Sequence, residues 1–229
     1  MDKNALRHAA RAAVPVILGY LSVGLVFGLL LTGSGYAWWL GLLMSLFIYA
    51  GTAQYMAVDF FLQNTPLWQV AFLTFLLNSR HMFYGLSLLE PFARAGIYRP
   101  YLIFSLTDET YALLTSVPPP AAVHPAKFSF YLAAVNQVAW LAGSLLGALL
   151  GAVIPFDLTG VDFALTALFI VLLLEQVRAA SAPYPFLAGL AAAGAALLIF
   201  GPANMLLPAV CLAAALLIPL RGKAEPHGS

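Results

Sequence analysis

Residues 12–31 read AAVPVILGYLSVGLVFGLLL, a run without a formal charge that leads within a few residues into more of the same. About 20 apolar residues in a helix, at about 1.5 Å of rise each, match the roughly 30 Å hydrocarbon core of a bilayer. Outward from this run, apolar stretches fill the chain to Leu220, and no polar block is long enough to fold outside lipid. Of 229 residues, 62% are hydrophobic and 8% are charged. A soluble domain carries roughly 25% charged residues. A mean hydropathy of +0.92 leaves too little polar surface to face water. Soluble, disordered, collagenous and disulfide-stapled classes are excluded. The expectation is an all-α integral membrane protein, with residues 1–229 as a single transmembrane domain. The net charge of +1 offers no basic stripe for a nucleic acid. The lone Cys211, in an apolar run, reads as a small hydrophobe.

Lys3, Arg7, His8 and Arg11 precede the first run. A secretory leader has an apolar core of about 7–15 residues and a small-residue cleavage site. The run here is longer and continues into membrane-type sequence, so it reads as a retained span with residues 1–11 in the cytoplasm. Six long candidates follow from hydropathy: Ala12–Leu31, Ala37–Phe60, Leu67–Leu89, Tyr101–Val117, Phe128–Ile154 and Phe163–Val177. A last stretch, Pro185–Leu220, is interrupted by Gly201-Pro202-Ala203-Asn204, and residues 221–229 form a polar tail. That gives seven or eight crossings. With eight, Lys127, Arg178, Arg221 and Lys223 fall on the cytoplasmic side, while Arg94 and Arg99 fall outside, against the positive-inside tendency. A re-entrant segment before Glu90 removes that conflict but displaces later charges, so both topologies stay open.

The chain also resembles itself weakly. Leu46-Phe47-Ile48 with Gln54 matches Leu168-Phe169-Ile170 with Gln176, and Gly24 and Gly28 echo Gly147 and Gly151. Paired repeats with interrupted helices are a pattern of secondary transporters; chance likeness between Leu-rich helices is the alternative.

Polar groups kept inside apolar runs face a partner or a cavity, because unpaired charge at the bilayer centre costs about 2.5–3.5 kcal/mol or more. Tyr49-Ala50-Gly51-Thr52-Ala53-Gln54-Tyr55 holds a run of small residues and an amide. It reads either as a close helix crossing with one interhelical hydrogen bond or as a local unwinding toward a solute. Asn78-Ser79-Arg80-His81, followed by Tyr84 and Gly85, comes only eleven residues after Leu67 begins its run. Arg80 offers a planar fork suited to a carboxylate, and His81 can relay a proton. The alternative is a membrane boundary with Arg80 reaching headgroups. Thr107-Asp108-Glu109-Thr110-Tyr111 sits between apolar flanks. Adjacent acids point to different sides of a helix, so one can neutralise Arg80 while the other titrates, or both can mark a wet helix end. Glu175 and Arg178 have the spacing of a local ion pair. Asn136 and Gln137 read as interhelical glue, and Gly143-x-x-x-Gly147-x-x-x-Gly151 as a tight packing face. No phosphate-binding loop, metal set or catalytic constellation is legible, so neither an enzyme nor a cofactor is expected.

Read in order, Tyr49–Gln54, Leu77-Asn78-Ser79-Arg80-His81-Met82-Phe83-Tyr84-Gly85 and Thr107-Asp108-Glu109-Thr110-Tyr111-Ala112-Leu113 resemble the AzlC family of branched-chain amino acid exporters. Tyr49 stands where the family usually shows Phe, and beyond Phe128 only hydropathy matches. The resemblance implies a permease of the bacterial cytoplasmic membrane that exports valine, leucine, isoleucine and sometimes methionine. It also implies a small AzlD-type membrane subunit as partner. On this expectation the amino acid substrate is held by Gly51, Thr52, Gln54, Asn78, Arg80 and Tyr84. Arg80 and Asn78 clamp its carboxylate, and Phe83 accommodates the aliphatic side chain. His81, Asp108 or Glu109 carries the coupling proton. The rival expectation is a non-transporting membrane subunit whose buried polar groups serve assembly.

Overall fold

Two long helices set the frame. In the computed structural model, which describes residues 3–121, 123–153, 170, 173–174, 177, 183–201 and 205–217, helix α1 spans Lys3–Gly33 and helix α9 spans Pro125–Val153. Both are long and apolar enough to cross a membrane. They pack along each other through glycine. A Cβ added to Gly143 would lie 2.7 Å from the Leu21 carbonyl oxygen, and one on Gly24 would lie 2.9 Å from the Ser144 nitrogen. Gly28 and Gly147 are tighter still, against the backbones of Ser144 and Leu25. Contacts this close exclude any side chain, and they explain why the small-residue face occupies Gly143, Gly147 and Gly151. Lipid tails give two helices no hydrophobic reason to associate, so close backbone packing takes over that role.

Between these two helices the chain is cut into short pieces. Helices α2 (Trp38–Phe47), α3 (Gly51–Leu62), α4 (Leu67–Asn78), α5 (Arg80–Ser87), α6 (Leu89–Ala93), α7 (Arg99–Phe104) and α8 (Asp108–Ser116) follow in order. A single 3₁₀ turn, Gly96–Tyr98, precedes α7. Among the described residues there is no strand. The expected span Ala37–Phe60 is therefore two helices, parted at Ile48-Tyr49-Ala50. Likewise Tyr101–Val117 is parted at Ser105-Leu106-Thr107, and Leu67–Leu89 is interrupted at Ser79 and again at Leu88. Hydropathy reads only how apolar a stretch is, and it cannot see where backbone hydrogen bonding stops.

The outer surface agrees with lipid. Leu18, Phe75, Met82, Val138 and Leu146 are all exposed, a distribution that water would not tolerate over so much area. Residues 1–165 and 166–229 form two units. The second holds helix α10 (Tyr184–Phe200) and helix α11 (Leu206–Leu217), which pack on each other. Gly201, at φ +71°, ends α10 in a conformation that suits glycine. At about 1.5 Å per residue neither helix alone matches a full bilayer core. Most of Phe163–Val177, with Glu175, Gln176 and Arg178, lies outside the described residues, as do Asn204 and the tail.

Candidate functional site

Two helix breaks meet at a polar junction against the middles of α1 and α9. At the first, the N–H groups of Ile48 and Tyr49 both bond the Met44 carbonyl, at 2.8 and 3.2 Å. Tyr49 turns to φ +44°, a left-handed value rare outside glycine. Such a residue costs on the order of 1–3 kcal/mol and persists only where its surroundings hold it. Here the Tyr49 ring is buried, edge-on to Tyr20 of α1 at 6.5 Å and tilted against Phe104 of α7 at 6.3 Å. Ending α2 leaves carbonyls without helical partners. One of them, Leu46 O, accepts from Gln137 Nε2 of α9 at 3.4 Å.

At the second break, Thr107 caps α8: the Thr110 N–H donates to its Oγ1 at 3.2 Å. Asp108 and Glu109 stand in the first turn, where the helix dipole favours negative charge. Tyr20 reaches this turn from α1. Its hydroxyl donates to Glu109 Oε2 at 2.6 Å and lies 2.7 Å from Thr107 Oγ1. Asn136 reaches it from α9, donating from Nδ2 to Thr110 Oγ1 at 3.0 Å. Tyr101 of α7 donates to Gln137 Oε1 at 2.7 Å. Thus α9 supplies Asn136 and Gln137 as the glue the sequence suggested, and it binds both breaks at once.

Each expected site residue has a definite position. Gly51 opens α3, where a Cβ would meet the Trp140 ring at 3.1 Å. Gln54 is fully buried and uses both ends of its amide: Nε2 donates to Ser45 Oγ, and Trp140 Nε1 donates to its Oε1, each at 3.0 Å. Thr52 is half-buried on the same turn. Asn78 ends α4, and its carbonyl lies 3.2 Å from His81 Nδ1. The Tyr84 ring sits edge-on to His81 at 5.7 Å and stacks on Tyr111 of α8 at 4.4 Å. Ser87 donates to the Tyr111 hydroxyl at 3.0 Å. Asp108 is half-buried and Glu109 exposed. The backbone of Arg80 begins α5; its side chain, like that of Phe83, lies outside the described residues.

The expected residues therefore fall into two groups. Gly51 and Gln54 gather on Trp140, His81 and Tyr84 gather near Tyr111, and α8 carries both Tyr111 and Glu109. Sequence reasoning overlooked Tyr20 altogether, and it named Tyr49 and Thr110 within their segments without giving either a role. A signal for Tyr20 was present: with Ser22 it is one of two hydroxyl residues in the run 12–31, and its one tyrosine. Thr107-Asp108-Glu109 is also a helix-start signature. Among the described residues no group of His, Cys, Asp and Glu could hold a metal ion.

Comparison with known proteins bears out the family resemblance. The AzlC protein family model matches residues 15–154. An uncharacterized membrane protein of Helicobacter pylori (strain J99) is 38% identical over 97% of both chains. The branched-chain amino acid transport protein AzlC of Bacillus subtilis (strain 168) is 33% identical over 96% of this chain and 87% of its own. The inner membrane protein YgaZ of Escherichia coli K12 is 24% identical over 75% and 73%. No solved structure matches the chain. The match through residues 15–154 takes in α1 from Pro15 onward, the interrupted helices α2 to α8 and α9, and with them the whole polar junction: this membrane protein belongs to the AzlC family.

Proposed function

We propose that the chain is a multi-pass permease of the bacterial inner membrane that exports valine, leucine, isoleucine and methionine. It works with a small AzlD-type membrane subunit, it is not an enzyme, and a proton or ion gradient drives it. The observation that carries this reading is the 33% identity, over nearly the whole chain, to a branched-chain amino acid transport protein. The junction supports it as well. Broken helices tolerated at membrane depth line solute pathways in carriers, because free backbone groups need a polar or protein-buried setting.

In this mechanism Arg80, with Asn78, clamps the substrate carboxylate, and Tyr84 borders the same chamber. Gly51 and Thr52 offer a close approach from α3, while Gln54 contributes by locking that turn to Trp140. His81, Asp108 or Glu109 passes the coupling proton. Valine efflux from cells making Arg80→Ala or His81→Ala, at matched membrane abundance, tests the assignment. Efflux should fall by about tenfold or more for Arg80→Ala, the loss of a charge-assisted carboxylate contact, and His81→Ala should flatten its pH dependence. Undiminished efflux in both variants would overturn the site. Reconstituting the chain with and without its partner separates a transporter from a silent subunit.

A further inference from the structure

We propose that the junction between the two helix breaks is a binding site for a primary ammonium group, the amino end of the substrate. This deepens the function proposed above and rests on it. Two of the junction's oxygens are buried without a hydrogen bond of ordinary length: Asn136 Oδ1, and the Tyr49 hydroxyl, which faces the Thr110 and Tyr20 hydroxyls. Tyr49 is 4% exposed and Asn136 fully buried, so neither is turned to solvent. Buried acceptors are normally paired, and each orphan calls for an explanation. The amide of Asn136 is oriented by its donation to Thr110, which leaves Oδ1 as the end on offer.

The third member is Glu109. Its Oε2 accepts from Tyr20, yet one neutral hydroxyl does not balance a carboxylate, and among the described residues its bonded partner is Tyr20 and no cation. The set is therefore a carboxylate, a phenol oxygen and an amide carbonyl, drawn from α8, the α2–α3 break and α9. A primary ammonium has three N–H donors and no acceptor, which matches in number a set of three acceptors. The junction sits near the middle of both long helices, Tyr20 in α1 and Asn136 in α9. Glu109 is exposed while Tyr49 and Asn136 are buried, so the carboxylate is the entrance and the two orphans are the inner end. Arg80, assigned to the carboxylate of the same solute, leaves the opposite pole of a zwitterion to this junction. Tyr20 and Thr107 act by positioning: they hold Glu109 and the first turn of α8.

The test uses the full chain with its small subunit, in cells and purified. Valine transport is challenged with valinol, which keeps the ammonium and lacks the carboxylate, and with 3-methylbutanoate, which has the reverse. Glu109→Gln should raise the valine KM by about tenfold and Tyr49→Phe by about fivefold, the scale of lost charge-assisted and neutral hydrogen bonds. Valinol should lose its competition in Glu109→Gln while 3-methylbutanoate keeps its own, a split that mere misfolding would not produce. Valinol should also raise the thermal midpoint of the purified wild-type complex and not that of Glu109→Gln. Unchanged valine KM in both variants, or equal valinol inhibition of wild type and Glu109→Gln, would overturn the ammonium site and leave the exporter standing. Loss of sodium-22 binding in Glu109→Gln with valinol competition intact would make it an alkali-cation site and overturn it too. A wild-type complex that moves no branched-chain amino acid, yet is stabilised by valinol through Glu109, would sink the exporter and keep the site.

Discussion

The α1–α9 seam and the polar junction are built on the same two helices and obey opposite rules. Along the seam both backbones are complete helices, and glycine lets them approach until nothing else fits. At the junction the neighbouring helices stop, and the long side chains of α1 and α9 reach across to satisfy what the breaks expose. The difference teaches that unbroken helices here act as a scaffold, and that their polar residues serve the broken ones. The sharpest way to break this contrast is to add one methyl group to the seam. Gly147→Ala would drive its Cβ into the Leu25 backbone, whereas Gly19→Ala on α1 meets nothing within 4 Å. The first should cost about 3 kcal/mol or more, the upper end of overpacking. The second should be neutral or slightly stabilising, since alanine favours helix over glycine. Thermal midpoints of the two purified variants measure this. Equal midpoints would mean that the seam is loose and that its glycines serve something else.

A smaller effect tests the junction's supporting layer. Gln54→Leu leaves the Trp140 indole N–H without its acceptor in a fully buried position, which costs about 1–3 kcal/mol. Adding Trp140→Phe removes the orphaned donor, so the double variant should recover part of the loss rather than sum two losses. Additive losses would show that the two side chains do not depend on each other.

The two regions also differ in how far the sequence announces them. Glycine at 143, 147 and 151 announced a tight packing face in the sequence, while Gly24 and Gly28 were read as a repeat echo and only the structure sets them opposite that face. The polar segments were legible too: Gly51 to Gln54, Asn78 to Tyr84 and Thr107 to Tyr111 all lie at or beside breaks. What could not be read was which segments meet. Tyr20 is far from Glu109 in sequence, and only the crossing of α1 past the start of α8 joins them. A break in the segment from Tyr49 to Tyr55 was one of two readings, but the residue that turns the chain was not legible. A tyrosine at positive φ has no local signal, since its strain is offset by a ring buried between Tyr20 and Phe104. Gln54 shows the reverse case, a residue whose type suggested a solute contact and whose amide is fully engaged by Ser45 and Trp140.

The gentlest probe falls on Thr107, which belongs to the junction both as the cap of α8 and as a neighbour of the Tyr20 hydroxyl. Thr107→Ala removes the acceptor of the Thr110 N–H and should cost about 1 kcal/mol, as lost caps do. Thr107→Ser keeps the oxygen and should restore nearly all of it. Valine transport separates the two roles. If the hydroxyl matters only as a cap, stability and transport should fall together in Thr107→Ala. If it also holds Tyr20 on Glu109, the alanine variant should show a raised valine KM even at temperatures where it is fully folded. A Thr107→Ala protein with unaltered stability would mean that Asp108 and Glu109 alone fix the start of α8 through the helix dipole. The break would then be held by charge rather than by a cap, and the contrast with the uncharged glycine seam would sharpen.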